Sequence, residues 1–428
     1  MTTLLAGLAI VLALVLSRRL WRHRLNPITA AVLVWAPAFV LATLPREFLL
    51  PVYNHLNKDL GVPAFTALIV SFLTFSAGVV AGLSVIGSRG WDLRLQRNQL
   101  RFSDMRLGLL YSFGLVVLVY SLATAGLGDA LAQEARDVAD SRAKLHLGPI
   151  SFAVLFLDIG AIAFLARMLE TGRKVYGIPM AVAVLAHIAT LHKSPTVFLV
   201  IACIFLFLMY PAQARQLMLG TRRRRVATLL MVLSLLGSLV AMNALRGIGV
   251  FRLTSFESDV AEQAYIYSGA TAILNLSAAI EGHVPTEPPK LGMLLARPLT
   301  WHLANRDQLN ATKYFEGINT ATYLIYPWVD FRWPGFFVTP FLTGLAITTL
   351  LWCSLRKSIT GLVMGAVAMQ AVLFSVNTDV VFDPTTWILI ALAAVAQLAA
   401  GQRRPVAAAG PAAPSPDPWL GVAGRHAP

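Results

Sequence analysis

Residues 64–87 read AFTALIVSFLTFSAGVVAGLSVIG, a run of twenty-four positions without a charged side chain. A helix needs about 20 predominantly apolar residues to cross a bilayer, so a run of this length and purity is a membrane-crossing helix rather than a soluble core element. Arg89, Asp92, Arg94, Arg97 and Arg101 follow it at once, and Pro63 precedes it. Further apolar runs with the same kind of boundary lie near 2–17, 27–44, 107–127, 150–169, 177–191, 196–212, 226–245, 335–353, 359–376 and 384–400. The pattern predicts an all-α polytopic membrane helix bundle of about eleven spans. Composition agrees: 57% of the 428 residues are hydrophobic and 13% charged, against about 25% charge in an ordinary soluble domain. That balance excludes both a soluble globular protein and a disordered one.

The charge distribution gives the orientation. Arg18, Arg19, Arg22 and Arg24 follow the first run instead of preceding it, unlike a cleaved signal peptide, and read as the cytoplasmic flank of a helix. Threading from there, one set of loops holds 18–24, 89–106, 167–174, 215–225, 356–357 and the C-terminal tail, with 22 basic and 4 acidic residues. The other set holds 13 basic and 16 acidic residues, and Asp158 falls within a span. Lys and Arg accumulate on the cytoplasmic side, which predicts an external N-terminus and a cytoplasmic C-terminus. The net charge of +14 is thereby a topological signal and calls for no nucleic-acid partner.

The expected organisation is eight transmembrane helices over 1–245, a large external loop over 246–334, three more spans over 335–402, and a disordered cytoplasmic tail over 403–428. A loop of that length is usually functional. Thr254 and Glu257 have capping-box spacing, and Val260, Ala264, Tyr267, Thr271, Leu274 and Ala278 recur at steps of three and four. They predict a helix at the membrane surface or packed on the bundle, ended by Gly282 and by Pro285–Pro289. A shorter helix is expected around Leu291–Leu303.

The loop gathers Arg246, Arg252, Lys290, Arg297, Arg306 and Lys313 among tyrosines and tryptophans. Arginines grip phosphate oxygens in a bidentate fork and lysine acts as a point charge, while aromatic faces stack on sugar rings. Taken one at a time, such residues are more often snorkelling cations and interfacial rings. Lys193-Ser194-Pro195 is a second candidate anion site, with Ser194 as helix cap and Pro195 as first helical residue; an ordinary capped turn explains it equally well. Asp158 is a functional candidate because intramembrane carboxylates usually are, with His187 as its hydrogen-bond partner. The plainer reading is an interhelical polar contact. Cys203 and Cys353 both lie in apolar runs, and no CxxC, Cys/His metal spacing, Walker A or HExxH motif is present. Asp379 and Asp383 flank an external turn without companions for a hard-cation cage. No metal and no cofactor are expected.

Residues 319–345 carry Asn319-Thr320-Ala321-Thr322-Tyr323-Leu324, then Asp330-Phe331, then Gly335 at the start of a span. With Asn26-Pro27 opening an early span, the Lys-Ser-Pro junction and the long external loop, the chain resembles the Wzy-type O-antigen and exopolysaccharide repeat-unit polymerases of bacterial inner membranes. Arg332-Trp333-Pro334 stands where that family usually has Gly, and Lys193 where many of its members have Arg. The resemblance implies metal-independent glycosyl transfer at the periplasmic face, from a polymer on undecaprenyl pyrophosphate to the sugar hydroxyl of an incoming lipid-linked repeat unit. The cations expected to bind the leaving pyrophosphate are Lys193, Arg246, Arg252 and Arg297, with Asn319 and Tyr323 as further substrate contacts. His302, Asp330 and Glu257 are the candidates for general base. The implied partners are undecaprenyl-pyrophosphate-linked oligosaccharide and membrane lipid, with a chain-length regulator and a flippase as protein candidates. An O-antigen ligase or another lipid-phosphate-dependent glycosyltransferase shares this architecture. A lipid-linked oligosaccharide flippase or other transporter would require more charge within the spans, or two similar halves, than the chain has.

Overall fold

The structure is a computed structural model, and it describes residues 15, 27–43, 60–86, 100, 102–125, 148–190, 193–209, 269–283, 289–300, 322–355, 358–376 and 378–401. The described residues are helical without strands. The helices, in chain order, are α1 (Pro27–Ala42), α2 (Val62–Ile86), α3 (Asp104–Ala125), α4 (Leu155–Thr171, entered through a 3₁₀ stretch Gly148–Val154), α5 (Ile178–Ala189) and α6 (Lys193–Met209). They continue with α7 (Ala270–Ile280), the single turn α8 (Arg297–Thr300), α9 (Ile325–Phe331), α10 (Gly335–Ser354), α11 (Ile359–Phe374) and α12 (Pro384–Ala400). Four segments, Val62–Ile86, Asp104–Thr124, Ile150–Thr171 and Gly335–Ser354, are long and apolar enough to cross a membrane. The apolar stretches 2–17 and 226–245 lie outside the described residues, apart from residue 15.

Residues 64–86 of the apolar stretch 64–87 lie in α2, which forms with α10 the most extensive helix pair among the described residues. Glycines make the close approach possible. A methyl group added at Gly78 would meet the Phe341 carbonyl, and one at Gly344 would meet the Phe75 carbonyl and the Val79 N–H. Each helix thus presents bare backbone to the other, the arrangement that brings helices together where lipid removes the ordinary hydrophobic drive. Around this pair α11 packs on α10, α6 on α11, and α4 on both α3 and α5. Leu157, Ile159, Ile162, Leu199, Leu206, Leu362 and Val363 fill one continuous core. The opposite faces carry exposed Met105, Leu109, Phe113, Val116 and Tyr120 on α3, an apolar exterior that suits lipid rather than water.

Loop segments gather at the two ends of the bundle. At one end Arg167 Nη1 donates to the Leu100 carbonyl at 2.6 Å, the Leu100 N–H donates to Glu170, Tyr176 Oη donates to Asp104 at 2.7 Å, and the Ser103 N–H reaches the Ala400 carbonyl at 3.0 Å. These residues belong to, or stand beside, the basic loop set of the sequence. At the other end Arg297 joins Asp379 and Phe382, and the Tyr323 N–H donates to the Ser375 carbonyl at 3.0 Å. Both of those segments come from the less basic set.

Part of the expected helix of the 246–334 segment is described. α7 starts at Ala270, immediately after Gly269 at φ 85°, and the expected cap at Thr254 and Glu257 lies outside the described residues. Every residue from Ala270 to Ala279 is buried, and α7 packs on α1 and α2. Of the two expected placements, at the membrane surface or packed on the bundle, the described part takes the second. Gly282 ends it as expected, at φ 74° with the His283 N–H returning to the Ala278 carbonyl at 2.8 Å. The expected helix near 291–303 reduces, in its described part, to turns followed by α8. At the Lys-Ser-Pro junction the helix already begins at Lys193, which puts Ser194 and Pro195 inside the first turn rather than at the cap. Pro195 is tolerated there because first-turn N–H groups have no intrahelical acceptor.

Candidate functional site

Arg297 is the centre of the cluster at the less basic end. Its Nε donates to the Phe382 carbonyl at 3.0 Å, and its Nη2 donates to Asp379 Oδ2 at 3.0 Å. The guanidinium lies over the Tyr326 ring, 4.3 Å from the centroid. Both members of the ion pair are buried, with side chains 9% and 3% exposed. Asp379 Oδ1 accepts the Phe382 N–H at 3.1 Å, so the carboxylate organises the turn between α11 and α12 while it holds Arg297. Burial pushes the Asp379 carboxyl up to about 6, against the opposing pull of Arg297. Asp383, next along the turn, caps α12 by accepting the Thr385 N–H at 2.7 Å. The two acids that sequence spacing left without a task are thus a guanidinium partner and a helix cap. The partnership was invisible in sequence because Arg297 and Asp379 are 82 positions apart.

Asp330 holds the segment that carries Arg297. Its two carboxylate oxygens accept the N–H groups of Leu294 at 3.0 Å and Leu295 at 2.7 Å, while its carbonyl accepts the Leu291 N–H at 3.0 Å. The residue is 1% exposed, and burial raises its carboxyl even though those N–H groups and Lys290 pull the other way. Arg332 follows at φ 58° and ψ −136°. This is backbone that glycine adopts freely and a β-carbon resists. The Arg332 guanidinium stacks over Trp328 at 5.1 Å. A β-carbon at Gly335 would meet the Pro327 carbonyl, so the last glycine of the motif is fixed by the sharp return from α9 into α10.

Tyr323 connects this cluster to a cavity. The residue is buried, its phenol raised by burial and by the nearby Asp379, and its ring meets Trp35 edge-on with centroids 6.1 Å apart. Trp35 Nε1 donates to Ser375 Oγ at 2.8 Å, and Ser375 Oγ donates to the Val372 carbonyl. Trp35, Tyr323 and Ser375 bound one part of a cavity of about 100 Å³ between α1, α2, α10 and α11, lined mainly by Phe39, Phe65, Phe72, Phe75 and Ile347, with half-exposed Leu73 at its lip. Ser71 Oγ is buried in its wall and has no hydrogen-bond partner among the described residues.

Of the residues singled out from sequence, Arg297, Tyr323 and Asp330 fall in this one region. Lys193 is described as the first residue of α6. Arg246, Arg252, Glu257, His302 and Asn319 lie outside the described residues. Asp379, Tyr326 and Trp35 are members of the region that the sequence reading did not select. Among the described residues no group of His, Cys, Asp and Glu is arranged to hold a metal ion. The chain matches no protein-family model, no curated protein and no solved structure.

Proposed function

We propose that this chain is a multi-pass membrane glycosyltransferase that joins oligosaccharide repeat units carried on undecaprenyl pyrophosphate, crossing the bacterial inner membrane about eleven times, with the 246–334 segment in the periplasm. The observation that carries the reading is the juxtaposition of Arg297 and its partners with an apolar cavity, linked through Tyr323. A lipid pyrophosphate has that polarity, with an apolar chain on one side and a compact anion on the other. In the reaction, the acceptor hydroxyl oxygen bonds to the anomeric carbon. The bond from that carbon to the pyrophosphate oxygen breaks, and its electron pair stays with the leaving group. Arg297 contributes a positive charge held by fixed partners, which stabilises departing anions without reorganisation at the moment of reaction. Asp379 neutralises part of that charge, so the remaining pyrophosphate charge falls to Lys193, Arg246 and Arg252. Asp330 acts in this reading by positioning the Arg297 turn.

The test is deletion of the chromosomal copy, with surface polysaccharide run on a sizing gel and complementation by wild type, Arg297→Ala and Arg297→Lys. The expected result is single repeat units in the deletion, a restored ladder with wild type, little ladder with Arg297→Ala, and an intermediate one with Arg297→Lys. Lipid-linked polymer of normal length that never reaches its final acceptor would replace this reading with a ligase. An unchanged profile would point to transport.

A further inference from the structure

Asp158 on α4 and His187 on α5 lie outside the cluster described above. Asp158 Oδ1 and His187 Nε2 are 2.6 Å apart, and each residue is 2% exposed. Asp158 lies in the first turn of α4, within the segment Ile150–Thr171 that is long enough to cross a membrane, and His187 in the last turn of α5, so the pair is buried where these two helix ends meet. The surroundings are apolar: Leu157, Ile159, Ile162 and Ala183 belong to the same core. The titratable neighbour is Tyr111 of α3, which packs on Gly160 and is within electrostatic reach of Asp158. The Tyr111 hydroxyl donates elsewhere, to the Pro179 carbonyl at 2.9 Å. Among the described residues, neither Asp158 Oδ2 nor His187 Nδ1 has a hydrogen-bond partner.

Stability alone does not account for such a pair. Desolvating two ionisable groups costs more than a single contact usually returns, and apolar side chains of similar volume hold helices together as well or better. The described buried charges of the other cluster differ in this respect: the side chains of Arg297, Asp379 and Asp330 each make two hydrogen bonds. The side chains of Asp158 and His187 share one polar contact, and it fixes one nitrogen of an imidazole while leaving the other available. An imidazole held in one orientation by a carboxylate is the arrangement in which a histidine accepts and releases protons at its second nitrogen. In an apolar span the pair is electrically neutral when it holds one proton between its members, so it is suited to exchanging a further proton rather than to binding a larger ion.

We propose that Asp158 and His187 form a proton-accepting pair inside the bundle, with His187 Nδ1 as the exchange point and Asp158 holding the ring through Nε2. In the glycosyl transfer proposed above, on which this part rests, the accepted proton is the one that the attacking hydroxyl loses as its oxygen bonds to the anomeric carbon. It reaches His187 through water and later returns to water.

Two measurements test this on the full chain in lipid nanodiscs. The first is NMR of histidine-labelled protein, with the His187 signal identified by its loss in His187→Gln. The signal is expected to change as pH is varied across the range in which the protein stays folded and to respond to Asp158→Asn, which keeps the shape and removes the charge. The second is the pH–rate profile of polymer formation in membranes given lipid-linked repeat units. Asp158→Asn is expected to lower the rate at least about tenfold and to displace the acid limb of the profile. A merely structural clasp would lower the amount of folded protein and leave the shape of the profile unchanged. A silent His187 signal across the range, or an Asp158→Asn profile superimposable on wild type after correction for protein amount, would overturn the proposal. If the wild type forms no polymer at all, the glycosyltransferase reading fails and the NMR titration alone decides the pair.

Discussion

Removing Arg297 strands a buried carboxylate, and the cost should depend on pH in a direction that the structure fixes. Asp379 is raised from an ordinary 3.8 to about 6, a displacement worth about 3 kcal/mol at about 1.4 kcal/mol per pH unit. The folded site therefore binds its proton more tightly than the unfolded chain does. Its contribution to stability is fully present below about pH 4, is lost as pH rises through about 6, and is level above that. Arg297 is the influence that holds the carboxyl down, so Arg297→Ala raises it further. At pH 8 the variant must bury an unpaired charge or take up a proton against the solvent, and a loss of about 3–5 kcal/mol is expected. At pH 5 the carboxyl already carries its proton, and the loss falls to that of the hydrogen bond to Phe382 and the packing on Tyr326, about 1–3 kcal/mol. Replacing both partners, as in Arg297→Leu with Asp379→Leu, removes both charges and should recover most of the stability. Polymer formation should stay lost in that double variant. The assay is the fraction of purified protein that remains monodisperse in detergent after heating, at both pH values. Equal losses at pH 5 and pH 8, or a double variant as unstable as Arg297→Ala, would refute the reasoning.

Three further substitutions bear on the fold and the site. Gly344→Ala places a methyl group against the backbone of α2 and should cost about 1–3 kcal/mol, read as a lower midpoint in the same heating assay. Asp330→Asn cannot accept the Leu294 and Leu295 N–H groups equally and should cost about 1–3 kcal/mol; activity per folded molecule that falls more than about a hundredfold would instead identify Asp330 as the general base. Arg332→Gly relieves backbone at φ 58° and, after loss of the Trp328 contact, should give a net gain of about 1 kcal/mol, seen as a raised midpoint.

The sequence by itself determined the helical class and the place of most helices. Long apolar runs mark them because a bilayer admits little else, and the described helices overlie the runs from 27–44 to 196–212 and from 335–353 to 384–400. Charge patterning also sorted the loops into two sets, and the contacts Arg167–Leu100 and Arg297–Asp379 each join segments from within one set. Helix ends in the 246–334 segment were less legible. Its regular apolar spacing runs through Gly269 without marking it, whereas α7 starts directly after that residue, because a positive φ is a local backbone choice that apolar periodicity does not encode. The pairing of Asp158 with His187 was readable because both are polar residues within neighbouring apolar runs. What only the tertiary structure decided was the partnership at Arg297. Tyr326 comes from α9, and Asp379 and Phe382 from the turn between α11 and α12, and their meeting with Arg297 depends on how those helices are packed, not on any spacing in the chain. Asp330 shows the same limit from the other side. Its type fits a general base, but both of its oxygens are engaged by backbone N–H groups more than thirty positions away, an arrangement that exists only once the chain has folded.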